Sequence, residues 1–401
     1  MMELDAPHAV AIEIVRGVYG GPAVKKVPAA GSDVLHEIVV GGLEPATTYR
    51  YTVSLDDGTA ETGTFTTAPE DDRPIQFLVY GDDRTDDASH AAIVARMKDA
   101  PGDLLLQTGD MVDDGTSEAL WVRYFGIERE LLRNRCLFPV IGNHEVWLPT
   151  SDGAMRFARM FRLPGPASSS ERYYTFRWGM ARFFMLDAQD DFASEERDWL
   201  ESALDAADAE PGLVWRLVVL HNGPFSSGLH GPNRSLHLAH VPELLRRHKV
   251  DVIFSGHDHI YERGEVAGSK YVISGGGGAP VYPQHRDDPT ALRFEAVHHF
   301  LTIGLDKTGG TLLATRKDGS TIEQCTFGVG GASGWGCPGT DGNGATIGGP
   351  PGAGPSPVVP PRRACDCSFA LSGTEWVGAA LATLLLLSAG LRRKHRAGDD
   401  A

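Results

Sequence analysis

Apolar and polar residues alternate in the first part of the chain and then change rhythm. Residues 10–15, 36–40, 48–53 and 64–67 have strand character, and 48–53 (Thr-Tyr-Arg-Tyr-Thr-Val) alternates with period two. Gly41-Gly42 and Asp56-Asp57-Gly58 supply turn chemistry between them. This predicts a small β-sandwich over residues 1–70. Beyond Asp71-Asp72-Arg73-Pro74, short runs of mostly apolar residues recur at 75–80, 103–108, 138–141, 182–187, 216–220, 252–255, 270–274 and 299–303. Helical patterns at 89–99 and 194–206 fall between them. Strand, polar loop and helix in alternation predict α/β layers with the helices outside. From about residue 326 to 361 Gly, Pro, Ser and Ala dominate, a composition that buries no core and reads as a disordered tether. Cys365-Asp366-Cys367 follows, then an apolar run at 376–391 closed by Arg392-Arg393-Lys394-His395-Arg396. Counted from Phe369 the run is long enough to span a bilayer, with a cytoplasmic C-terminus.

Composition narrows the functional classes. The chain has 401 residues and is 42% hydrophobic, enough for two domains with appendages. A formal net charge of −16 argues against nucleic acid as a partner, because phosphate backbones require clustered Lys and Arg. The five cysteines form no Cys-x-x-Cys zinc pattern. Cys325 and Cys337 flank a short Gly-rich loop and are positioned to pair in an oxidising compartment.

Five polar motifs stand where predicted strands end. They are Gly81-Asp82-Asp83-Arg84, Gly109-Asp110-Met111-Val112-Asp113, Gly142-Asn143-His144-Glu145, His221-Asn222-Gly223-Pro224 and Gly256-His257-Asp258-His259. In α/β sheets ligands gather beyond the strand ends. The Asp, Asn and His side chains together match two adjacent metal ions of hard-to-borderline character, Fe, Zn or Mn rather than Ca. Such a pair clamps a phosphoryl group and activates a bridging hydroxide.

The ordered motifs resemble the calcineurin-like metallophosphoesterase superfamily, and with the segment in front they are most similar to bacterial relatives of purple acid phosphatases. The resemblance covers roughly residues 33–305. It implies that Asp110 bridges two metals, that Asp82 and His259 bind the first, and that Asn143, His221 and His257 bind the second. It further implies that His144 protonates the leaving oxygen or stabilises phosphoryl charge, with Glu145 orienting it. The first motif departs from the family pattern, which has His two residues after the Asp where this chain has Arg84. Purple acid phosphatases instead use a Tyr three residues after the second motif's Asp, and that position is Asp113 here, so the first metal is short of one ligand. An arginine cannot ligate a metal. His90 either swings in to complete the first metal or is a surface helix residue. Arg84 either meets substrate phosphate as a bidentate donor or leaves a first metal that is weakly held. His230 is a further loop candidate, and Tyr261, Glu262 and Arg263 read as support for the ligands.

The implied architecture is a four-layer α/β-β/α metallophosphoesterase sandwich. Its expected divisions are a fibronectin type III-like β-sandwich at 1–70, a catalytic domain at 74–324, a Gly/Pro-rich linker at 325–364 and the cysteine motif, transmembrane helix and basic tail at 365–401. The sandwich is short of the roughly 100 residues such domains need, and the start carries no signal peptide; a true start further upstream is the expectation. The C-terminal triplet of cysteines, span and basic tail resembles the sorting signals of myxobacterial surface proteins and implies retention at the cell surface. The expected partners are a phosphate-ester substrate and, through the C-terminal helix, a membrane. Two other classes fit the same motifs: an inactive or weakened cell-surface binding protein, and a phosphodiesterase acting on lipids or nucleotides.

Overall fold

The alternation in the first segment is realised in strand Thr48–Leu55, where Tyr49, Tyr51 and Val53 are buried and Thr48, Arg50 and Thr52 are not. In the computed structural model, which describes residues 2–338 apart from 19–20, 147–151, 165–171, 190–191, 193 and 332–333, this strand belongs to a four-stranded antiparallel sheet. Its order is Ala23–His36, Met2–Arg16, Thr48–Leu55, Ala60–Thr66. The second layer of a sandwich is not found among the described residues. The strand expected at 36–40 lies one segment earlier: Ala23–His36 pairs with Met2–Arg16, while Val39 is 58% exposed. Local β-propensity at Ile38-Val39-Val40 loses to the available ladder partner. The sheet packs on the α/β part that follows through Tyr51, whose hydroxyl donates to the Arg133 carbonyl at 2.8 Å. Glu61 joins it, pairing with Arg133 at 2.6 Å and with Arg129.

Two larger sheets follow. One has six strands, ordered Thr321–Phe327, Gly310–Arg316, His299–Leu305, Ile75–Tyr80, Leu104–Gln107, Cys136–Pro139. The other has seven, ordered Ala291–Glu295, Tyr261–Val266, Ser269–Ser274, Val252–Ser255, Trp215–Val219, Ala181–Met185, Tyr174–Trp178. They pack face to face: Phe138 stacks on Phe176 at 3.9 Å between centroids, and the Phe77 ring meets Phe183 edge-on at 5.3 Å. Period two distributes the seven-stranded sheet between two cores. Phe183, Leu217, Val219 and Phe254 face the other sheet. Phe184, Val218 and Ile253 face Leu200 and Leu204 of helix Ser194–Asp208 and Leu244 and Leu245 of helix Val241–Arg247. Fully buried runs of this kind are what parallel strands covered on both faces require.

The central strands of each sheet run parallel, so their carboxyl ends gather on one side. The sheet continues past residue 325, since the last strand runs to Phe327. A disulfide joins Cys325 to Cys337, and the Trp335 indole N–H donates to the Gly264 carbonyl at 3.1 Å. No helix among the described residues is long and apolar enough to cross a membrane. The tether beyond 338, the Cys365-Cys367 motif and the apolar run at 376–391 lie outside the described residues.

Candidate metal centre

All five motifs emerge from carboxyl ends of parallel strands, where successive backbone turns must redirect polar side chains toward one point. Three of the expected ligands take left-handed backbone to do so: Asp82 (φ 59°), Asp110 (φ 58°) and His257 (φ 68°). Such positions cost about 1–3 kcal/mol each and persist where surroundings over-determine them. The surroundings here do. A Cβ on Gly142 would lie 2.2 Å from the Asp110 amide nitrogen, and one on Gly277 1.9 Å from Asp83 Oδ1. The Gly275–Gly278 run is therefore a close-packed support: the Gly277 and Gly278 amides donate to the Gly81 and Asp82 carbonyls at 2.8 and 2.9 Å.

Four side chains converge at the second site. Around His221 Nε2 lie Asn143 Oδ1 at 3.0 Å, His257 Nδ1 at 3.2 Å and Asp110 Oδ1 at 3.3 Å. Ligand atoms bound tetrahedrally at about 2.0–2.1 Å are separated by about 3.3 Å, close to the separation that His221 Nε2 keeps from each of the other three atoms. His221 Nδ1 donates to the Thr108 carbonyl at 2.7 Å, which turns Nε2 toward the cluster. Burial alone would depress His221, but the charge and hydrogen bond of Asp110 prevail and raise it to about 9. Burial and the neighbouring His221 charge hold His257 far below its ordinary value. Asp110, also buried, is pulled below the ordinary carboxylate range by His221, His144 and Arg84.

The first site is built differently. Asp82, Asp110 and His259 offer three buried ligand atoms within 4.8 Å of one another. His259 Nδ1 donates to the Pro280 carbonyl at 2.9 Å, leaving Nε2 as an acceptor. Burial depresses this imidazole to about 4, with Arg84 adding to the effect. Arg84 Nη2 lies 3.2 Å from His259 Nε2, and Arg84 Nε donates to Asp110 Oδ2 at 3.1 Å. The guanidinium is thus seated on the atoms of the first site. His90 does not join them. It lies on the inner face of helix Asp87–Met97, 2% exposed, with Nε2 2.8 Å from Glu128 Oε1 and its ring stacked on Tyr124. Asp83, His90 and Glu128 make a separate buried cluster.

Among the catalytic candidates, His144 sits at the rim. Its amide donates to Asp110 Oδ1 at 2.9 Å, and its Nδ1 is 2.9 Å from the Asp113 carbonyl, which turns Nε2 toward the site, 3.8 Å from Asp110 Oδ2. The expected orienting role of Glu145 takes another form. Its buried carboxylate accepts the amides of Gly142 (2.7 Å), Asp110 (3.0 Å), Met111 (2.9 Å) and Val112 (3.2 Å), and so holds the second and third motifs together. Tyr261 and Arg263 turn away to Glu323 at 2.6 and 2.8 Å, while Glu262 holds the Ser227 loop and Tyr271. The His230 ring lies 4.3 Å from that of His257, on the exposed side.

Asp258 and Tyr282 were not assigned from sequence. The Asp258 carboxylate accepts from the Ser226 hydroxyl, the His230 and Gly231 amides and the Tyr282 hydroxyl, clamping the loop that borders the site. Tyr282 in turn accepts the His259 amide at 2.9 Å. Asp258 stands between two candidate ligand histidines in its motif, a usable signal; Tyr282, in a loop far along the chain, carries none.

Residues 77–261 match the family model for calcineurin-like phosphoesterase. Purple acid phosphatase 21 of Arabidopsis thaliana is 29% identical over 265 residues, covering 62% of this chain and 59% of the relative. Phosphoenolpyruvate phosphatase of Allium cepa is 27% identical over 270 residues, 62% of this chain and 55% of the relative. The chain thus spans little more than half the length of the curated relatives it matches. The fold is shared with purple acid phosphatase PPD1 from yellow lupin seeds (TM-score 0.65, 18% identity, 80% of this chain and 70% of that one). It is also shared with PhoD (TM-score 0.62, 14% identity, 81% and 85%). The calcineurin-like phosphoesterase model thus matches just under half of this chain, and the relatives similar to it are phosphatases by name.

Proposed function

We propose that this chain hydrolyses phosphate esters at the centre formed by the five motifs, with a metal ion held by Asp110, Asn143, His221 and His257. The observation that carries the reading is the convergence of Asn143, His257 and Asp110 on His221 Nε2 at 3.0–3.3 Å. The two-metal arrangement of the superfamily would add an Fe, Zn or Mn ion at Asp82, Asp110 and His259. The donor set of the second site suits such an ion; the first offers three ligands, two of them hydrogen-bonded to Arg84. A bound metal supplies a Lewis acid for phosphoryl oxygens and a water of lowered pKa.

The chain's own residues do the rest. Asp110 and Glu145 fix the relative position of the second and third motifs. His144, held through its amide and Nδ1, presents Nε2 to the leaving oxygen. The P–O bond to the leaving group breaks as an oxygen from water bonds to phosphorus, and the proton on Nε2 passes to the departing alkoxide. Replacing Asn143 with Ala removes one ligand and is expected to lower aryl phosphate turnover at least about 100-fold. Wild-type turnover by the purified variant would remove the assignment.

The Cys325–Cys337 disulfide supports an oxidising, extracytoplasmic location, and the apolar run at 376–391 is the candidate membrane anchor. Fractionation of the source cells tests both; recovery of the chain in the cytoplasm with free thiols would refute the placement.

A further inference from the structure

The two positions at which this chain departs from the superfamily pattern face each other. Arg84 stands where the superfamily pattern has a histidine ligand, and Asp113 where purple acid phosphatases have a tyrosine in its place. Arg84 Nη1 donates to Asp113 Oδ1 at 3.3 Å and to Thr85 Oγ1 at 3.2 Å, and the Thr85 hydroxyl donates to the same Asp113 oxygen at 2.6 Å. The position of the missing ligand and that of its alternative thus join in one hydrogen-bonded arrangement around the guanidinium. The remaining guanidinium nitrogens complete it, with Nε on Asp110 Oδ2 and Nη2 on His259 Nε2.

Asp110 divides accordingly. Its Oδ1 faces His221 and the second site, and its Oδ2 faces Arg84. A carboxylate between two metals would give one oxygen to each; here one of the two receives a guanidinium. Arg84 is 15% exposed and hydrogen-bonded through all three nitrogens, so it is held in place. The β-branched Thr85 beside it is forced to φ 74°, a conformation rare for such a residue and evidence that the loop is pinned. His90, the one candidate to restore a ligand, is bound to Glu128 instead.

We infer that the Arg84 guanidinium is the second cation of this centre, so that the site holds one metal ion per chain, at Asp110, Asn143, His221 and His257; this rests on the metal-dependent reading above. The arginine is permanently charged and planar, and one Nη2 N–H has no acceptor among the described residues. A guanidinium so placed would donate to a phosphoryl oxygen, supplying in fixed form the charge that a second metal would bring. The substrate class is then a phosphate ester whose phosphoryl group lies between one metal and one guanidinium.

The test is metal stoichiometry on the full chain, stripped with chelator, reloaded with Mn(II), and measured by elemental analysis and electron paramagnetic resonance. The wild type is expected to retain one tight equivalent with the spectrum of an isolated ion. Arg84→His is expected to take up a second equivalent and to show exchange coupling. Arg84→Ala is expected to lose about 10²–10³-fold in aryl phosphate turnover, with partial recovery on adding guanidinium ion. Two tight, coupled equivalents in the wild type would overturn this inference and leave the phosphoesterase reading standing. No tight metal in the wild type would overturn both. Wild-type turnover by Arg84→Ala would overturn the role given to the guanidinium, whatever the metal count.

Discussion

Glu145→Gln is the substitution that most sharply separates positioning from chemistry. The carboxylate touches no reacting atom in the account above, yet it accepts four buried backbone amides, two on each oxygen. A glutamine keeps one oxygen and turns an NH2 group toward the other pair. Two buried N–H donors then lose their acceptor, at about 1–3 kcal/mol each. The expected loss of stability is about 4 kcal/mol, and at about 2–4 °C per kcal/mol the melting temperature falls by about 8–16 °C. Burial and the charge of Asp110 push the Glu145 carboxyl up to about 7. A carboxyl raised in the folded state loses its contribution as pH climbs from about 4.5 to 7, so the comparison is made at one fixed pH, 8, where the wild-type group is charged. Because the Asp110 loop is what Glu145 holds, metal affinity is expected to fall about 10–100-fold. Thermal melts and metal titrations of the two proteins read both effects. A variant that melts within a degree of wild type and binds metal equally well would refute the argument.

Glu196 is pushed up to about 9 by burial and by Asp187. An acid whose folded pKa exceeds its unfolded value stabilises in acid and loses that contribution as pH climbs from about 4.5 to 9. Glu196→Gln should therefore match wild type near pH 5 and melt higher near pH 8.5; equal melting at both would contradict this. Breaking the Cys325–Cys337 bridge, which closes a loop of 12 residues, should cost about 3 kcal/mol, read as a shift in denaturant midpoint between oxidised and reduced protein. Glu323→Ala leaves the Arg263 guanidinium, 1% exposed, without its bidentate partner and should destabilise by about 3–5 kcal/mol in equilibrium unfolding.

The central strands were legible because each is an apolar run cut off by a motif. Ile75–Tyr80 and Val252–Ser255 coincide with the segments predicted, ended by Gly81-Asp82 and Gly256-His257. The N-terminal ladder was less legible, because pairing of Ala23–His36 with Met2–Arg16 is decided by register rather than by hydropathy. His90 was half legible. Ile93, Val94 and Met97 continue its face at helical spacing, which already places it inward. Nothing nearby in sequence announces that Glu128, 38 positions on, is its partner. Arg84 shows the same limit: its identity excluded a metal ligand, but its acceptors come from Asp110, Asp113 and His259 on two other motifs. Ligand type is local information, whereas the geometry that decides what occupies a site is assembled from distant strand ends.

Phosphate release from an aryl phosphate by the chelator-stripped chain, followed as Mn(II), Zn(II) or Fe is returned, tests the central claim most directly. Turnover should rise from background to saturation with metal in the wild type and remain at background in His221→Ala. Turnover that is indifferent to chelation, or restored equally in His221→Ala, would contradict the account.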